Sequence, residues 1–528
     1  MKNEEKNVFH VVETATPEFI EEVMTALKKQ ARPRIPAQTM FAIVARTAGY
    51  EVHARNVVPV YTKIKPLIEA LVLAEAVRFS YVENGQSFYT VPALGGNGSG
   101  VKPAGQGTVR NNWRLNPESL HSQACEVIAK HRFVTNREHL ADAEAHILEK
   151  LVYHKGNWYT KGEYIPTEED DPKFEDLHEK QLKMIASHKV LLEQYPNGWS
   201  FDVFTDDRGR VYYAGGYASP HCGSLARYLY THEGQITCDH RTSFAQNYSL
   251  LTGSKMGQWC GVGTAEDSDF WVNALAHYGL TIKPHSAERE ICKRYGMPTF
   301  YGAGKARATE SADEVAREFL NRGKISEARY KDLMKALDLL GDDLRDYSER
   351  ARGFAKSWVD IGEHPQWRTP SGFHAEKHYW CHVDKPWQSG TNDTWAYPKS
   401  LTTRLQTKRI CERSDKDKGD KSCLIATGAN LLQSIDASIL TRACLKFYKK
   451  RGYTPYVIHD SYTIEKDDRA TLERCVIESM IETADSAELK ALRSELSYPP
   501  VKVICGNRKP AEGVRNLDLR AMNPLDLE

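Results

Sequence analysis

The sequence predicts an α+β protein with a small separate module at its N-terminus. After residue 113, short strand patterns lie among long helical patterns, which is typical of the α+β class. Residues 93–112 are rich in Gly, Ser and Pro and carry almost no large apolar side chains, as in flexible linkers. The 528 residues are enough for about two to four domains with ample core.

The N-terminal module is predicted to cover residues 1–92. Residues 17–30, 36–50 and 59–76 each carry a helical pattern, and an alternating segment around Asn84-Gly85 predicts a hairpin. Three helices followed by a two-stranded wing form the outline of a winged helix, which would bind DNA. A helical cap with a hairpin fits the same pattern, so DNA binding by this module stays open.

The remainder is predicted to fall into two regions. Residues 113–199 are mostly helical and polar, and residues 200–528 combine short strands with long charged helices. Residues 409–421 are dense in charge and are predicted to form an exposed loop.

Composition excludes several classes of protein. The formal net charge is only +1, so there is no global basic excess of the histone-like kind, although a basic cleft remains compatible. No apolar run reaches about 18 residues and the N-terminus lacks an apolar signal segment, so no membrane partner is expected. The eleven cysteines never form C-x-x-C, which favours reduced thiols and a cytoplasmic location. No P-loop motif supports a helicase or packaging ATPase.

Two aspartates stand where a divalent metal could be bound. Asp460 lies between an apolar run and an alternating segment, which predicts a hairpin with this residue at its apex. Asp239 ends a short strand pattern that precedes a helix. Nucleotidyl transfer commonly uses two divalent ions about 4 Å apart, and Mg²⁺ prefers few carboxylates plus substrate phosphates. Either aspartate alone would more often be an ordinary turn or helix cap.

The segment between the aspartates predicts a helix with aligned polar side chains. Arg289, Lys293, Met297 and Tyr301 follow one another in steps of four, so they lie along one helical face. Arg289 can bind a triphosphate through two hydrogen bonds and Lys293 as a point charge, with Tyr301 near the sugar and base. A solvated basic face is the alternative for such a helix alone.

The order of these motifs resembles the polymerase I-like superfamily. Its fingers motif is R-x-x-x-K with Tyr-Gly eight and nine residues after the Lys, as here with Tyr301-Gly302. Asp239 upstream and His459-Asp460-Ser461 downstream are similar to its other two motifs, in the same order.

Within that superfamily the chain resembles the single-subunit RNA polymerases of bacteriophages and mitochondria, as a compact and divergent member. The likeness is discontinuous over roughly residues 200–528. It rests on DDRGRVY (206–212), TPSGF (369–373), the spacing of Asn430, Ser434, Asp436 and Ser438, the Ser of His459-Asp460-Ser461, and NLDLR (516–520).

The resemblance implies a right-hand polymerase, with palm and fingers in residues 200–528 and a thumb-like region in residues 113–199. Asp239 and Asp460 would bind two Mg²⁺ ions, and the backbone carbonyl of His240 could add a ligand. The expected reaction is attack of a 3′-oxygen on the α-phosphate of a nucleoside triphosphate, copying a DNA template into RNA. The enzyme would be phage-encoded and work in the host cytoplasm.

The resemblance also implies the binding residues. Arg289 and Lys293 would bind the triphosphate, Tyr301 and the residue at position 433 would face the ribose, and Arg208 and Arg210 would contact the template–product duplex.

Two departures from the family concern the sugar. Gln433 replaces a His that touches the ribose 2′-OH, and Phe244 replaces a Gly. Phe244 could act as a steric gate or point into the core. A primer-making or DNA-synthesising relative is therefore the alternative function. A DNA-binding regulator on an inactive polymerase scaffold is a third, against which the intact Asp239, Lys293, Tyr301 and Asp460 argue.

Two further departures concern the helix and the chain length. Pro298 lies inside the fingers helix and is predicted to kink or break it, at a cost of about 3 kcal/mol. The large family insertion between Asp207 and Asp239 is missing, and the promoter-reading hairpin region after TPSGF is reduced. Weak promoter recognition is expected, with a need for an accessory initiation protein, a second subunit or a single-stranded template.

Overall fold

The structure is a computed structural model that describes residues 23, 34–48, 78–83, 86–90, 100–110, 116–164, 166, 172–266, 269–361, 364–376, 380–385, 408–413, 416–510 and 514–527. The chain forms two compact units. The first consists of Met1–Lys102 and Tyr379–Gly419, and the second of Pro103–His378 and Asp420–Glu528.

The described strands follow in chain order: β1 (Arg34–Pro36), β2 (Arg78–Glu83), β3 (Gln86–Thr90), β4 (Val101–Pro103), β5 (Val152–His154), β6 (Asn157–Tyr159), β7 (Trp199–Thr205), β8 (Val211–Ala214), β9 (Gln235–His240), β10 (Gln366–Arg368), β11 (His374–Glu376), β12 (Trp380–Lys385), β13 (Lys408–Arg413), β14 (Tyr456–Ile458), β15 (Ser461–Glu465), β16 (Val501–Ile504), β17 (Arg515–Asp518) and β18 (Leu525–Leu527).

The described α-helices follow in chain order: α1 (Ala37–Thr47), α2 (Leu120–Ala129), α3 (Arg137–Leu148), α4 (Phe174–Gln194), α5 (Ser224–Tyr230), α6 (Ser243–Thr252), α7 (Phe270–His277), α8 (Ala287–Phe300), α9 (Lys305–Asn321), α10 (Glu327–Asp360), α11 (Lys416–Arg451), α12 (Arg469–Asp485) and α13 (Ala487–Glu495). None of these helices is long and apolar enough to cross a membrane.

The first unit contains the predicted hairpin. Strands β2 and β3, on either side of Asn84-Gly85, pair antiparallel, and β1 adds a third strand along β3. Helix α1 lies within the predicted helix 36–50. The predicted helices 17–30 and 59–76 lie outside the described residues, apart from residue 23. The winged-helix interpretation therefore stays a prediction.

A second hairpin in the first unit corrects the prediction for residues 409–421. Strands β12 and β13 pair antiparallel, from Trp380 with Arg413 to Lys385 with Lys408, and α11 begins at Lys416. The prediction of an exposed charged loop is therefore wrong for this part of the chain. Charge density was a poor guide because the partner of β13 lies far upstream, where local composition gives no sign of it.

The second half of the predicted linker 93–112 is likewise ordered. The N–H and the hydroxyl of Thr108 both donate to Asp202 Oδ1, at 3.0 and 2.9 Å, so this segment lies along β7. A Cβ at Gly107 would stand 1.9 Å from the carbonyl oxygen of Ala129. Glycine is present at this position because another backbone passes close by. The boundary between the two units, at Lys102 and Pro103, also lies within the predicted linker, whose flexibility stays a prediction.

A cluster of aromatic rings joins the sheets of the second unit. The ring of Phe133 lies with its centroid 4.9 Å from Phe201, 5.1 Å from Tyr213, 5.0 Å from Tyr230 and 5.6 Å from Tyr456. Edge-to-face contacts of this kind stabilise a core beyond the area that they bury. Because these rings come from β7, β8, α5 and β14, the cluster fixes the strand that leads to Asp460.

The sheet that carries both aspartates has the strand order β14-β15-β9-β18, with antiparallel neighbours throughout; we call it the catalytic sheet. Strand β9 is central, and Asp239 lies opposite Ser461 on one side and Asp526 on the other. The N–H of Arg241 donates to the Pro524 carbonyl at 2.9 Å, which continues the pairing with β18 beyond the end of β9.

Helix α8 runs through Pro298 and ends at Phe300, so the predicted break does not occur. The proline stands in the last turn, where it removes only its own hydrogen bond to the carbonyl four residues before it, and the N–H of Tyr301 still donates to the Met297 carbonyl. Upstream, a Cβ at Gly296 would stand 2.2 Å from the Trp271 ring of α7, so the two helices touch closely. These contacts, and not the helix alone, hold α8 in place.

Candidate active site

Asp239 and Asp460, distant in the sequence, are adjacent in the structure. Asp460 belongs to the two-residue turn between β14 and β15, and its neighbour Ser461 lies opposite Asp239. The His240 N–H donates to both residues, to the Asp460 carbonyl at 3.2 Å and to Asp239 Oδ1 at 3.1 Å. One backbone amide therefore ties the two predicted metal-binding positions together.

The backbone is strained on both sides of this pair. His459, directly before Asp460, has φ = 55°, and Thr242, which precedes α6, has φ = 54°. Residues other than glycine rarely adopt this left-handed backbone conformation, and when they do it is often at a functional site. The turn and the strand end are thus held by the surrounding fold rather than by local preference.

The donor set fits Mg²⁺. The carboxylates of Asp239, in β9, and of Asp460, in a tight turn, are hard oxygen ligands. Mg²⁺ typically takes one or two carboxylates and completes its coordination with phosphates and water. No group of three or more His, Cys, Asp or Glu side chains in the described residues could hold a metal by itself. The imidazole of His240 is buried, which lowers its pKa to about 4, so the ring is neutral. Its predicted role through the backbone carbonyl stays a prediction.

A buried ion pair lies close to the aspartates. Arg210 Nη2 is 3.0 Å from Asp436 Oδ2, and the two side chains are only 14% and 1% exposed. Burial, and then the negative charge of Asp460, raise the pKa of Asp436 to about 7, against the opposing effect of Arg210. Asp436 belongs to the set of spaced polar residues between 430 and 438 that the sequence shares with the family. Its ion-pair partner, Arg210, could not be predicted from the sequence. The predicted duplex contact of Arg210 stays a prediction, and its guanidinium already has this partner.

Arg208 lies in a second network at the β7–β8 turn. Its Nε and Nη2 donate to Asp206 Oδ2 at 2.9 and 2.5 Å, and its Nη1 donates to Gln433 Oε1 at 2.5 Å. The hydroxyl of Tyr212 donates to the same Asp206 oxygen at 3.2 Å. Gly209 makes the tight turn possible with φ = 90°. The sequence interpretation missed Asp206 as the residue that organises this turn, although it begins the quoted DDRGRVY segment.

Tyr301 and Gln433, both predicted at the ribose, come together. Tyr301 caps the C-terminal end of α8 and Gln433 lies on α11. Burial raises the pKa of Tyr301, whereas the charge of Arg210 and a hydrogen bond from Gln433 lower it. The phenol is therefore neutral and sits within the electrostatic field of Arg210, Asp436 and Asp460.

Arg289 and Lys293, the two cationic residues of the row on α8, have surroundings different from those of Tyr301. Arg289 Nε is 2.6 Å from Asp269 Oδ2, and Asp269 is also the N-cap of α7. Lys293 is partly buried one turn further along. The Asp269 carboxylate uses one of the five N–H donors of the Arg289 guanidinium, so a triphosphate would share Arg289 with this partner. The predicted triphosphate contacts of both residues stay predictions.

Phe244 belongs to the core. Its side chain is 5% exposed, and its ring centroid lies 4.0 Å from Phe300 and 5.7 Å from both Phe270 and Trp271. Of the two interpretations offered by the sequence, the structure supports core packing over the steric gate. Phe244 joins α6, which follows the catalytic sheet, to the end of α8.

Strand β10 and the TPSGF segment that follows it contact the face of α11 that carries the spaced polar residues. Trp367 Nε1 donates to Ser434 Oγ at 2.8 Å, and Ser371 Oγ lies 3.2 Å from Ser438 Oγ. The buried His121 lies 3.1 Å from Ser371 Oγ. These family-like segments thus fold against one another, and His121, which the sequence interpretation did not single out, belongs to the same contact.

Residues 288–504 match the family model of DNA-dependent RNA polymerase. The match includes Arg289, Lys293, Tyr301, Gln433 and Asp460 and confirms the resemblance to this polymerase family over that part of the chain. Among solved structures, the chain is similar to the POL domain of Pol1 from M. smegmatis in complex with DNA primer-template and dNTP. The identity is 12% and the TM-score 0.42, over 88% of this chain and 78% of that chain. No curated protein matches.

Proposed function

We propose that this chain is a DNA-directed RNA polymerase that extends RNA by two-metal nucleotidyl transfer. The observation that carries the proposal is the bridging of Asp239 and Asp460 by one backbone amide, at the end of the catalytic sheet. The family match over residues 288–504 supports polymerisation of nucleotides as the chemistry.

Each residue has a defined task in this proposal. Asp239 and Asp460 would hold the two Mg²⁺ ions, which lower the barrier by stabilising the charges on the attacking and leaving oxygens. Arg289 and Lys293 would hold the triphosphate, and Tyr301 the ribose. The RNA 3′-oxygen then attacks the α-phosphate, and the bond to pyrophosphate breaks on the opposite side.

We propose that initiation of RNA synthesis depends on a factor in addition to the catalytic site. The chain is short between Asp207 and Asp239, where the family carries an insertion, and this supports a need for an accessory protein, a second subunit or a single-stranded DNA template. In the family that the chain resembles, the sequence region between TPSGF and Asn430 carries a promoter-reading hairpin, and we propose that the pair β12–β13, which lies in this region, has a role in template contact.

The function is tested by primer extension with the full chain. A primed DNA template is supplied with Mg²⁺ and either the four ribonucleoside or the four deoxynucleoside triphosphates, and Asp460→Asn serves as the inactive control. Template-dependent RNA extension that is lost in Asp460→Asn supports the proposal. Extension with deoxynucleotides alone would replace it with DNA synthesis, and incorporation that Asp460→Asn leaves unchanged would overturn the catalytic assignment.

A second candidate, DNA or primer synthesis, has one observation in its favour. Gln433 stands where the RNA polymerases have a His at the ribose. The other reason to consider it, a steric gate at Phe244, has lost its basis because that side chain is in the core.

A further inference from the structure

We propose that a cavity at the end of the catalytic sheet remote from Asp239 and Asp460 is a binding site for a nucleoside monophosphate whose base carries an amino group. The cavity lies outside the proposed active site, and its ligand would bind without metal or template. The inference therefore goes beyond the proposed function and does not depend on it.

The cavity is large enough for one small ligand. Its volume is about 340 Å³, and small-molecule sites in proteins range from roughly 300 to 1,000 Å³. It is lined by residues 131–134, which follow α2, by Tyr230 and His232 at the end of α5, and by the first residues of β9 and β14, Gln235 and Tyr456. Four parts of the chain therefore meet around a space of the size that a nucleoside monophosphate needs.

The position of the cavity separates it from the proposed metal ligands. Gln235 and Asp239 belong to the same strand, β9, and are four residues apart. At about 3.4 Å per residue, their Cα atoms are roughly 14 Å from each other. Tyr456 likewise precedes Asp460 by four residues, and β14 is antiparallel to β15. A ligand in the cavity therefore lies at a different place from a nucleotide bound by the proposed metal ions.

Three buried aromatic side chains form the apolar part of the cavity wall. Phe133, Tyr230 and Tyr456 are 2%, 3% and 4% exposed, and the Phe133 ring contacts both of the others. Because these rings pack on one another, this part of the wall is formed before any ligand binds. A planar heterocycle can contact such rings without ordering flexible side chains, which favours a nucleobase over a flexible chain.

Arg132 gives the cavity an anion-binding group. Its Nε donates to the Asn197 carbonyl at 2.9 Å, which anchors the guanidinium and uses one of its five N–H donors. The other four, on Nη1 and Nη2, match the oxygens of a phosphate. Next to Gln235 the charge is negative, because the Gln235 Nε2 donates to Glu465 Oε1 at 3.2 Å. The phosphate is therefore assigned to Arg132.

Two histidines of the cavity wall offer hydrogen-bond acceptors. His131 Nδ1 donates to the Thr454 carbonyl at 2.7 Å, and His232 Nε2 donates to the Val134 carbonyl at 2.9 Å. A carbonyl only accepts, so these bonds fix the tautomer of each neutral ring and leave His131 Nε2 and His232 Nδ1 as acceptors. The amino group of a nucleobase supplies the matching donors.

The test measures binding of AMP to the full chain by isothermal titration calorimetry, with EDTA present to remove divalent ions. Adenosine lacks the phosphate, and inosine monophosphate has an oxygen in place of the amino group of AMP. Arg132→Met removes the guanidinium. Val134→Phe adds a ring to the cavity wall and keeps the carbonyl that His232 uses. Arg137→Met, at an exposed arginine in the first turn of α3, is the matched control.

We expect AMP to bind the parent protein saturably, with one molecule per chain. Its Kd should rise at least about tenfold in Arg132→Met, and binding should be lost in Val134→Phe. Adenosine and inosine monophosphate should each bind the parent more weakly than AMP, by about tenfold and several-fold. The Kd should stay within about twofold of the parent in Arg137→Met and in Lys293→Met. Thermal melting identifies variants that fail to fold, and the exposed Arg132 then carries the test if Val134→Phe is lost.

Three results would overturn the site. The first is the absence of saturable AMP binding to the folded parent protein. The second is an unchanged Kd in both Arg132→Met and Val134→Phe. The third is a loss of binding in Lys293→Met with no change in Arg132→Met, which would place AMP in the proposed active site. None of these results touches primer extension, so the site and the proposed function succeed or fail separately.

Discussion

The catalytic sheet and helix α8 position the residues of the proposed active site in different ways. Asp239 and Asp460 meet only because β9 and β15 pair, and both flanking turns are strained. Arg289, Lys293 and Tyr301 share one helix, so their spacing is set locally. The difference teaches that the sheet holds the two proposed metal ligands at fixed positions. Helix α8 instead gives an aligned row of side chains, in which Arg289 is paired with Asp269 through Nε alone.

The largest effect should come from removing one carboxylate of the sheet. In Asp239→Asn, loss of an anionic metal ligand should cost several kcal/mol of transition-state stabilisation, so nucleotide incorporation should fall by about 10³-fold or more. Single-turnover incorporation at several Mg²⁺ concentrations measures this. Stability should change little, because the strand pairing does not depend on the charge.

The matched control is Asp526→Asn. Asp526 lies directly opposite Asp239, but its carboxylate is 2.6 Å from the Arg241 guanidinium and is half exposed. We expect its incorporation rate to stay within about fivefold of the parent, because it holds the strand and not the metal. An equal loss in both variants would mean that the metal site extends to β18.

A smaller effect is expected on the helix. Lys293→Met removes one positive charge from the aligned side chains of α8. A hydrogen bond to a charged group contributes about 1.5–3 kcal/mol to binding. The KM for nucleotide should therefore rise roughly 10–100-fold, with a smaller change in kcat. Lys305→Met, which removes a largely exposed lysine paired with Asp338, is the control and should leave KM unchanged. A similar KM in Lys293→Met and the parent would remove α8 from triphosphate binding.

The same two regions show what the sequence could predict. Asp239, Asp460 and Tyr301 could be proposed from the sequence because each lies in a short motif and the order of the motifs can be read directly along the chain. The pairs Arg208–Gln433 and Arg289–Asp269 were not, because each joins residues whose proximity depends on tertiary packing. The strand β18 was missed for the same reason, since a three-residue strand has no period long enough to detect.

Mild acid should weaken the sheet region and spare α8, which contains no histidine. His131 is partly buried beside Tyr456, and its ring nitrogen donates to the Thr454 carbonyl at 2.7 Å, just before β14. Burial lowers the pKa of His131 from 6.5 to about 4. Between these values the unfolded chain binds a proton that the folded chain does not, so stability falls as pH drops through this range.

The loss from His131 alone should be about 2 kcal/mol between pH 7 and pH 5. Urea unfolding at pH 7, 6 and 5 measures it, monitored by the fluorescence of the aromatic residues around Phe133. His131→Gln keeps a donor for Thr454 without titrating, so the pH dependence should become shallower. An identical pH dependence in both proteins would show that His131 is already protonated in the fold or accessible to solvent.

The smallest effect is expected from a substitution at Phe244, which joins α6, next to the catalytic sheet, to the end of α8. Phe244→Leu trims the ring that packs on Phe300 and should lower the free energy of unfolding by about 1–2 kcal/mol. The preference for ribo- over deoxynucleotides should not change, because the side chain lies in the core. A shift in that preference without loss of stability would restore the steric-gate interpretation.

The late position of β18 in the chain has a consequence for biosynthesis. Strand β9 leaves the ribosome long before residues 525–527, which cover its second edge. At about 5–20 residues per second, the delay is roughly 15–60 s. During that time the strand that carries Asp239 has an open edge, which can pair with other chains or be covered by a chaperone. The proposed activity should therefore be acquired only after β18 has been translated.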